Sequence, residues 1–387
     1  MKYANEIFAE NLLEKEVKYC SAESLGYEGT VTCKDNIKAI FYDAEEYKGI
    51  KTKVFAYIGT PDNPENKKLP AILLIHGGGG TAFECWVKQW IDRGYVAMAM
   101  DLTGNYPVIP FSHQVGGQKE KHAYSGPTND EYATVTPKEE VWLYHAITDV
   151  IYAHNILRSL PYVDNDRIGI YGISYGGVVT SAVVGVDNRF LYAVSVYGCG
   201  YMYECRTHMS ERLTPEKKAW DSSNFLKDCD TPVFWMSGDC DSNFDISAIS
   251  KSALSTKGEH LMSFKPAWGH SHGVPWNEAP EIFEYVDSKV KGTTPLISFG
   301  DIEYADNTAK VKANIPEGRT LDFVRLVSNS SDKFEFYKKS DAFEEVSGSF
   351  DGEYYIFSVP ENSLRFYIYG RDRMGNVTSS TVFELNK

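Results

Sequence analysis

The chain has 387 residues, 43% hydrophobic and 14% aromatic, which is enough apolar material to bury one large domain and a smaller one. Its 39 Lys and Arg stand against 53 Asp and Glu, a formal net charge of -14. That balance argues against nucleic acid and against an anionic membrane surface, since both demand a positive field.

The opening residues, Met1 to Glu10, lack a basic region followed by an apolar core, and no later run reaches membrane-spanning length. A soluble, cytoplasmic protein is expected. The cysteines (Cys20, Cys33, Cys85, Cys199, Cys205, Cys229 and Cys240) are odd in number with no C-x-x-C spacing. Reduced, mostly buried thiols are expected, without a disulfide framework or a zinc site.

Residues 1 to about 50 read as a helical lead-in and edge strands, with Ile37 to Tyr42 and Val54 to Ile58 as the first extended segments. Ala71 to His76 is a continuous apolar run, as in a strand buried on both faces, and it empties into four glycines, Gly77 to Gly80. Thr81 and Glu84 predict a capping box opening an amphipathic helix through Trp86, Val87, Trp90 and Ile91, which stops at Gly94. Tyr95 to Met100 is the next buried strand. Strand, helix, strand with short loops is a βαβ unit, and its repetition predicts an α/β fold with a mostly parallel sheet covered by helices on both faces.

A glycine run between a buried strand and a helix makes sense where backbone must approach a ligand. A flexible linker is the plainer alternative. The functional reading is an oxyanion hole, with an N–H near Gly78 or Gly79 joined by the N–H of Tyr175. His76 is read as a structural residue of this turn.

Leu102 to Val135 is a long irregular stretch expected to shape a binding site. Thr136, Pro137 and Glu139 predict the start of a long helix through Leu143, Ile147, Ile151 and Leu157. Arg167 to Thr180 then reads as strand, glycine-framed turn and helix start, with Ser174 between Gly172 and Gly176 at G-x-S-x-G spacing. Small flanking residues allow the backbone to turn sharply, so that strain holds the hydroxyl up and exposed. After the strand Ala193 to Tyr197, a polar excursion from Gly198 to Phe225 is expected to cap a cleft.

Pro232 to Gly238 and His260 to Lys265 are two further strands, the first followed by Asp239, Asp241 and Asp245, the second by His270 and His272. Carboxyl ends of parallel strands are where such sheets place catalytic groups. Ser, then Asp, then His is a known triad order. A metal held by Asp239, Asp241, Asp245, His270 and His272 would leave the serine turn and the glycine run unexplained, so no metal and no cofactor are expected.

Together, His76 to Gly80, Gly172 to Gly177, Gly238 to Asp241 and Gly269-His270 resemble motifs of the α/β-hydrolase superfamily, over residues from about 50 to 292. They are similar to those of acetylxylan esterase, dienelactone hydrolase and prolyl oligopeptidase relatives. Tyr175 departs from the acetylxylan and cephalosporin C deacetylases, which usually carry glutamine after the serine, and looks more like the prolyl oligopeptidase group. Peptidases of that group carry a large propeller before the hydrolase domain, whereas only about fifty residues precede it here. The resemblance implies Ser174 as nucleophile, Asp241 as the acid because it stands three residues after Gly238, and His270 as the base. Asp239 and His272 are the alternates.

Beyond Gly292, Thr293 to Pro295 reads as a linker to alternating strands separated by Asn, Asp, Gly and Pro turns. Residues 293–387 are expected to form an immunoglobulin-like or fibronectin-like β-sandwich, and residues 1–292 a catalytic domain that retains its chemistry without residues 296–387. The function expected is a serine esterase for short-chain acyl groups on a small molecule or carbohydrate. A homo-oligomer is compatible with the sequence. A peptidase with the same triad and a catalytically silent binding protein are the alternatives.

Overall fold

The computed structural model describes residues 7–8, 11–27, 36–62, 67–109, 117–128, 137–212, 215–270, 279–331 and 343–385. Two units make up the chain: the first is Met1–Gly200, Leu213–Pro232 and Thr256–Gly258, the second Tyr201–Arg212, Val233–Ser255 and Glu259–Lys387. Among the described residues, no helix is long and apolar enough to cross a membrane.

The first unit contains β1 (Tyr19–Ser21), β2 (Ile37–Asp43), β3 (Lys53–Gly59), β4 (Leu69–Ile75), β5 (Val96–Met100), the hairpin β6 (Asn105–Ile109) and β7 (Gln118–Lys121), β8 (Val163–Ile173) and β9 (Tyr192–Val196). Its sheet runs β1-β2-β3-β5-β4-β8-β9. The pairs from β1 to β5 are antiparallel, and β5, β4, β8 and β9 are mutually parallel. The parallel strands are almost wholly buried, which is why they read as unbroken apolar runs rather than as alternating ones.

Three helices cover this sheet: α1 (Glu84–Ile91), α2 (Trp142–Ser159) and α3 (Tyr175–Val183). α1 buries Trp86, Val87, Trp90 and Ile91, and α3 is buried throughout. The expected capping box is not made. Phe83 occupies the N-cap of α1 without a side-chain bond, and the Thr81 hydroxyl points to the Asn105 carbonyl at 3.5 Å instead. Likewise α2 begins only at Trp142, after a 3-10 turn over Lys138–Glu140 and the extended, buried Val141. Tertiary packing, rather than a local cap, sets both starts. Thr136 lies outside the described residues.

In the second unit, β10 (Val233–Cys240) pairs in parallel with β11 (His260–Gly269), and the two longer helices among the described residues are α4 (Ile246–Leu254) and α5 (Pro280–Lys291). Gly292 takes φ 68° to end α5, a left-handed cap for which glycine is suited. The later strands are β12 (Ser298–Phe299), β13 (Glu303–Ala305), β14 (Thr308–Val311), β15 (Ala313–Asn314), β16 (Leu321–Asn329), β17 (Phe343–Ser347), β18 (Ser349–Phe350), β19 (Tyr355–Ser358), β20 (Arg365–Asp372), β21 (Val377–Ser379) and β22 (Phe383–Glu384). β20 and β21 form the hairpin legible in the sequence, turning through Gly375 at φ 93°.

These strands do not stand apart from β11. The order is β10-β11-β21-β20-β16-β17, with Met262 of β11 opposite Ser379 of β21. A separate sheet runs β13-β14-β19-β18, and one apolar cluster takes Ala309, Val311 and Phe357 from it and Leu326, Phe366 and Ile368 from β16 and β20.

The stretch read as a linker is gripped rather than loose. Arg319, buried, donates to the Thr294 and Pro295 carbonyls at 2.9 and 3.0 Å, to Glu284 on α5 at 2.9 Å and to Asp372 at 3.1 Å. Glu281 of α5, also buried, accepts from the Val377 N–H at 2.7 Å and from Lys265 at 3.1 Å. Removing one partner of such buried ionic groups typically costs about 3–5 kcal/mol. A chain ending at Gly292 loses these partners and the strand beside β11, so it should be insoluble or melt at least about 10 °C lower by circular dichroism. A truncated protein with the full-length melting temperature would refute this.

Candidate active site

β8 delivers Ser174 at its end, and the backbone there sits at φ 57° and ψ -122°, a conformation that L-residues adopt only when their surroundings enforce it. The Ser174 N–H donates to the Val196 carbonyl at 2.8 Å, and its own carbonyl accepts from Val178 at 3.0 Å, which starts α3. Both flanking glycines are sterically required. A Cβ on Gly172 would lie 2.1 Å from the Gly176 carbonyl oxygen, and one on Gly176 would lie 2.2 Å from the Ile75 oxygen. The residue is only 4% exposed, so the turn holds Ser174 buried, not exposed as the sequence suggested.

That close packing sets the serine turn directly against the end of β4, where the glycine run begins. Gly80 N–H closes a turn onto the Gly77 carbonyl at 2.9 Å, leaving Gly78 half-buried and Gly79 exposed. Space alone does not require glycine at 79, where an added Cβ would meet nothing within 4 Å. Lys119 of β7 donates to the Gly80 carbonyl at 2.7 Å. Tyr175 packs edge-on against Trp142 of α2, their ring centroids 5.8 Å apart.

His76 is locked into this loop. Its Nε2 accepts the Leu102 N–H at 2.8 Å, which assigns the proton to Nδ1, 2.6 Å from the Gly77 carbonyl. Asp101 lies beside it, 3.4 Å from Nε2. Burial would raise the Asp101 pKa, but the N–H groups of Asn105 and Thr103 donate to its carboxylate and hold it below the usual range.

In the second unit, Asp241 and His270 come together: Asp241 Oδ2 lies 2.9 Å from His270 Nδ1. Asp241 is fully buried, and its other oxygen accepts the N–H groups of Asn243 and Phe244 at 2.7 and 2.8 Å. Three donors converge on one carboxylate and fix its direction. The imidazole then carries its proton on Nδ1, making Nε2 the basic nitrogen.

The neighbouring acids are engaged elsewhere. Asp239 accepts the Ala267 N–H at 2.6 Å and the Tyr367 hydroxyl at 3.0 Å. Asp245 caps α4 through the Ser247 N–H at 2.8 Å and pairs with Arg206 at 2.6 Å. His272 lies outside the described residues. Among the described residues, no group of three or more His, Cys, Asp or Glu side chains could hold a metal ion. The contributions of Tyr367 and Lys119 carry no local sequence signal, since each is made to a residue far away along the chain.

Residues 139–285, which include Ser174, Asp241 and His270, match the prolyl oligopeptidase family. Dipeptidyl-peptidase 5 of Porphyromonas gingivalis is 30% identical over 34% of this chain and 17% of its own length. A probable dipeptidyl-peptidase 5 of Aspergillus clavatus is 26% identical over 52% of this chain and 25% of its own. The chain thus spans a quarter or less of the length of these relatives.

Among solved structures, an acetyl xylan esterase from Paenibacillus sp. R4 superposes with a TM-score of 0.54 at 16% identity, covering 74% of this chain and 93% of that one. The acylaminoacyl peptidase of Pyrococcus horikoshii gives 0.50 at 16% identity over 70% and 44%. At such identities the likeness speaks for the fold. With the glycine-framed serine turn, the largely parallel sheet and the family match, it places the chain in the α/β-hydrolase superfamily of serine hydrolases.

Proposed function

We propose that this chain hydrolyses carboxylic esters through an acyl-enzyme, with Ser174 as nucleophile, His270 as general base and Asp241 as the carboxylate that orients it. The observation that carries the reading is the Asp241–His270 pair, in which a buried, triply bonded carboxylate fixes the imidazole tautomer. His270 takes the Ser174 proton as Oγ attacks the acyl carbon, and the imidazolium then protonates the departing alcohol. Water, deprotonated by the same nitrogen, attacks the acyl-enzyme and releases the acid and the free serine. Charge on the carbonyl oxygen would be met by the N–H of Tyr175 and one from Gly78 or Gly79.

The finer assignment is to short acyl groups, acetyl first, on a small molecule or a carbohydrate, in the cytoplasm. It draws on the acetyl xylan esterase, whose fold is matched over 93% of its length, against 44% for the acylaminoacyl peptidase. An ester also demands less of the site, because an alcohol leaves more readily than an amine and needs no extended peptide to be positioned. The second reading is peptide hydrolysis, favoured by the prolyl oligopeptidase match and by the names of the curated relatives. Residues 293–387 are read as a β-sandwich module, supported by the apolar cluster drawn from two sheets.

A panel of chromogenic acyl esters and dipeptidyl amides tests substrate class. Acetyl esters should turn over faster than butyryl esters and far faster than any amide. Comparable rates on a dipeptidyl amide would transfer the assignment to the peptidase reading.

Substitution tests the roles. Ser174→Ala and His270→Ala should lower kcat by roughly 10⁴-fold or more, and Asp241→Asn by about 10²–10⁴-fold, each in a protein that still folds. A fluorophosphonate probe should label Ser174 in the wild type and fail on Ser174→Ala. Full turnover by Ser174→Ala would end the nucleophile assignment, and an inert, unlabelled wild type would favour a silent binding protein.

A further inference from the structure

β10 and β11 do not run in even register to their ends. Gly238 stands opposite Lys265, but Cys240 stands opposite Gly269, so Asp239 alone faces three residues, Pro266 to Trp268. The extra chain forms a bulge immediately before His270. Bulges of this kind re-aim the residues that follow them.

The bulge is strained and tightly seated. Ala267 sits at φ 56°, unusual for a residue with a Cβ. The Trp268 carbonyl presses so close to Gly238 that an added Cβ there would lie 1.9 Å from the oxygen. Such a conformation needs something to hold it, and the Ala267 N–H is bound by Asp239 Oδ1 at 2.6 Å.

Asp239 is in turn held from the C-terminal strands. Its Oδ2 accepts the hydroxyl of Tyr367 on β20 at 3.0 Å, with Asp239 4% and Tyr367 1% exposed. The Tyr367 ring is itself fixed edge-on against Phe264 of β11, centroids 5.7 Å apart. Burial, with the Asp239 charge beside it, pushes the phenol pKa well up, so the hydroxyl stays a donor at any working pH.

We infer that Tyr367 and Asp239 form a positioning pair which, by fixing the Ala267 bulge, sets the register of Cys240 against Gly269 and so the meeting of Asp241 with His270. This rests on the roles proposed above for Asp241 and His270. Tyr367 touches no reacting atom in this account. It acts through Asp239 on the loop that delivers the base, and the C-terminal strands thereby take part in the chemistry of a site to which they supply no catalytic group.

The test is Tyr367→Phe, which keeps the ring and removes only the hydroxyl, measured on acetyl esters well below the melting temperature. The expected result is kcat lower by about 10–100-fold with KM within about twofold, since small misplacements of a base act on the chemical step. Asp239→Asn keeps an acceptor for Ala267 and should retain more activity than Asp239→Ala. Adding Tyr367→Phe to Asp239→Ala should cost little more, as expected for residues acting in series.

A second readout needs no substrate. The low-field proton resonance of the His270 Nδ1–H···Asp241 hydrogen bond, assigned by its loss in His270→Ala, should shift or broaden in Tyr367→Phe and in Asp239→Ala. A wild type that shows the resonance but cleaves no ester would defeat the esterase reading and leave the positioning pair to be judged by the resonance alone. If Tyr367→Phe proves unfolded, Asp239→Ala carries the same comparison. A folded variant with unchanged kcat and an unmoved resonance overturns the inference, as does a lowered melting temperature without either change.

Discussion

A serine held at positive φ is the constraint on which the first unit depends. Nothing intrinsic to serine favours φ 57°, so the conformation must be enforced by neighbours. The enforcement is steric and mutual: Gly172 and Gly176 close on one another and on the end of β4, while Gly198 lies so near Gly177 that an added Cβ would be 2.4 Å from its carbonyl carbon. The buried parallel strands are therefore more than a platform. They fix the carbonyl of Ile75 against which the turn is wedged, and the same carbonyl end begins the glycine run.

A second regularity concerns buried carboxylates in a chain that carries an excess of acid. Asp101 and Asp241 are satisfied mainly by backbone N–H groups of the loops that follow their strands, an arrangement that holds them without long flexible cations. Asp187 is handled differently. Burial opposes its charge, yet Arg189 and His154 together hold its pKa far below the usual range. Arg189 also reaches the carbonyl of Leu13, so this ion pair ties the amino-terminal segment down. Asp149 has no such help, and burial pushes its pKa well up.

Much of this architecture was legible because its signals are local. Continuous apolar runs marked β4, β5 and β9, and glycine spacing marked the turn at Ser174. The cap signal misled at Thr81, and the long helix begins only at Trp142, because a cap is a weak local preference, worth about 1 kcal/mol, which burial of Trp86 or Val141 readily overrides. Within the candidate site, residue types and their order could be read, but not what each acid accepts. The spacing from Gly238 favoured Asp241 over Asp239, but only the fold shows what each accepts: one closes a bulge, and the other receives an imidazole.

The boundary at Thr293 shows the limit of reading domains as intervals. Composition does change there, and the strands that follow do share a core of their own. Yet a sheet edge is a surface that demands a partner, and β11 meets that demand with β21, more than a hundred residues later in the chain. Ser263 and Phe264 then donate hydrogen bonds to the Val377 carbonyl and the Ser379 hydroxyl, and Glu281 accepts from the Val377 N–H. A segment that supplies a strand, a buried arginine and a tyrosine to the same unit cannot be energetically separate from it. The strand that carries His270 is thus stabilised from the side that sequence alone would have called a detachable tail.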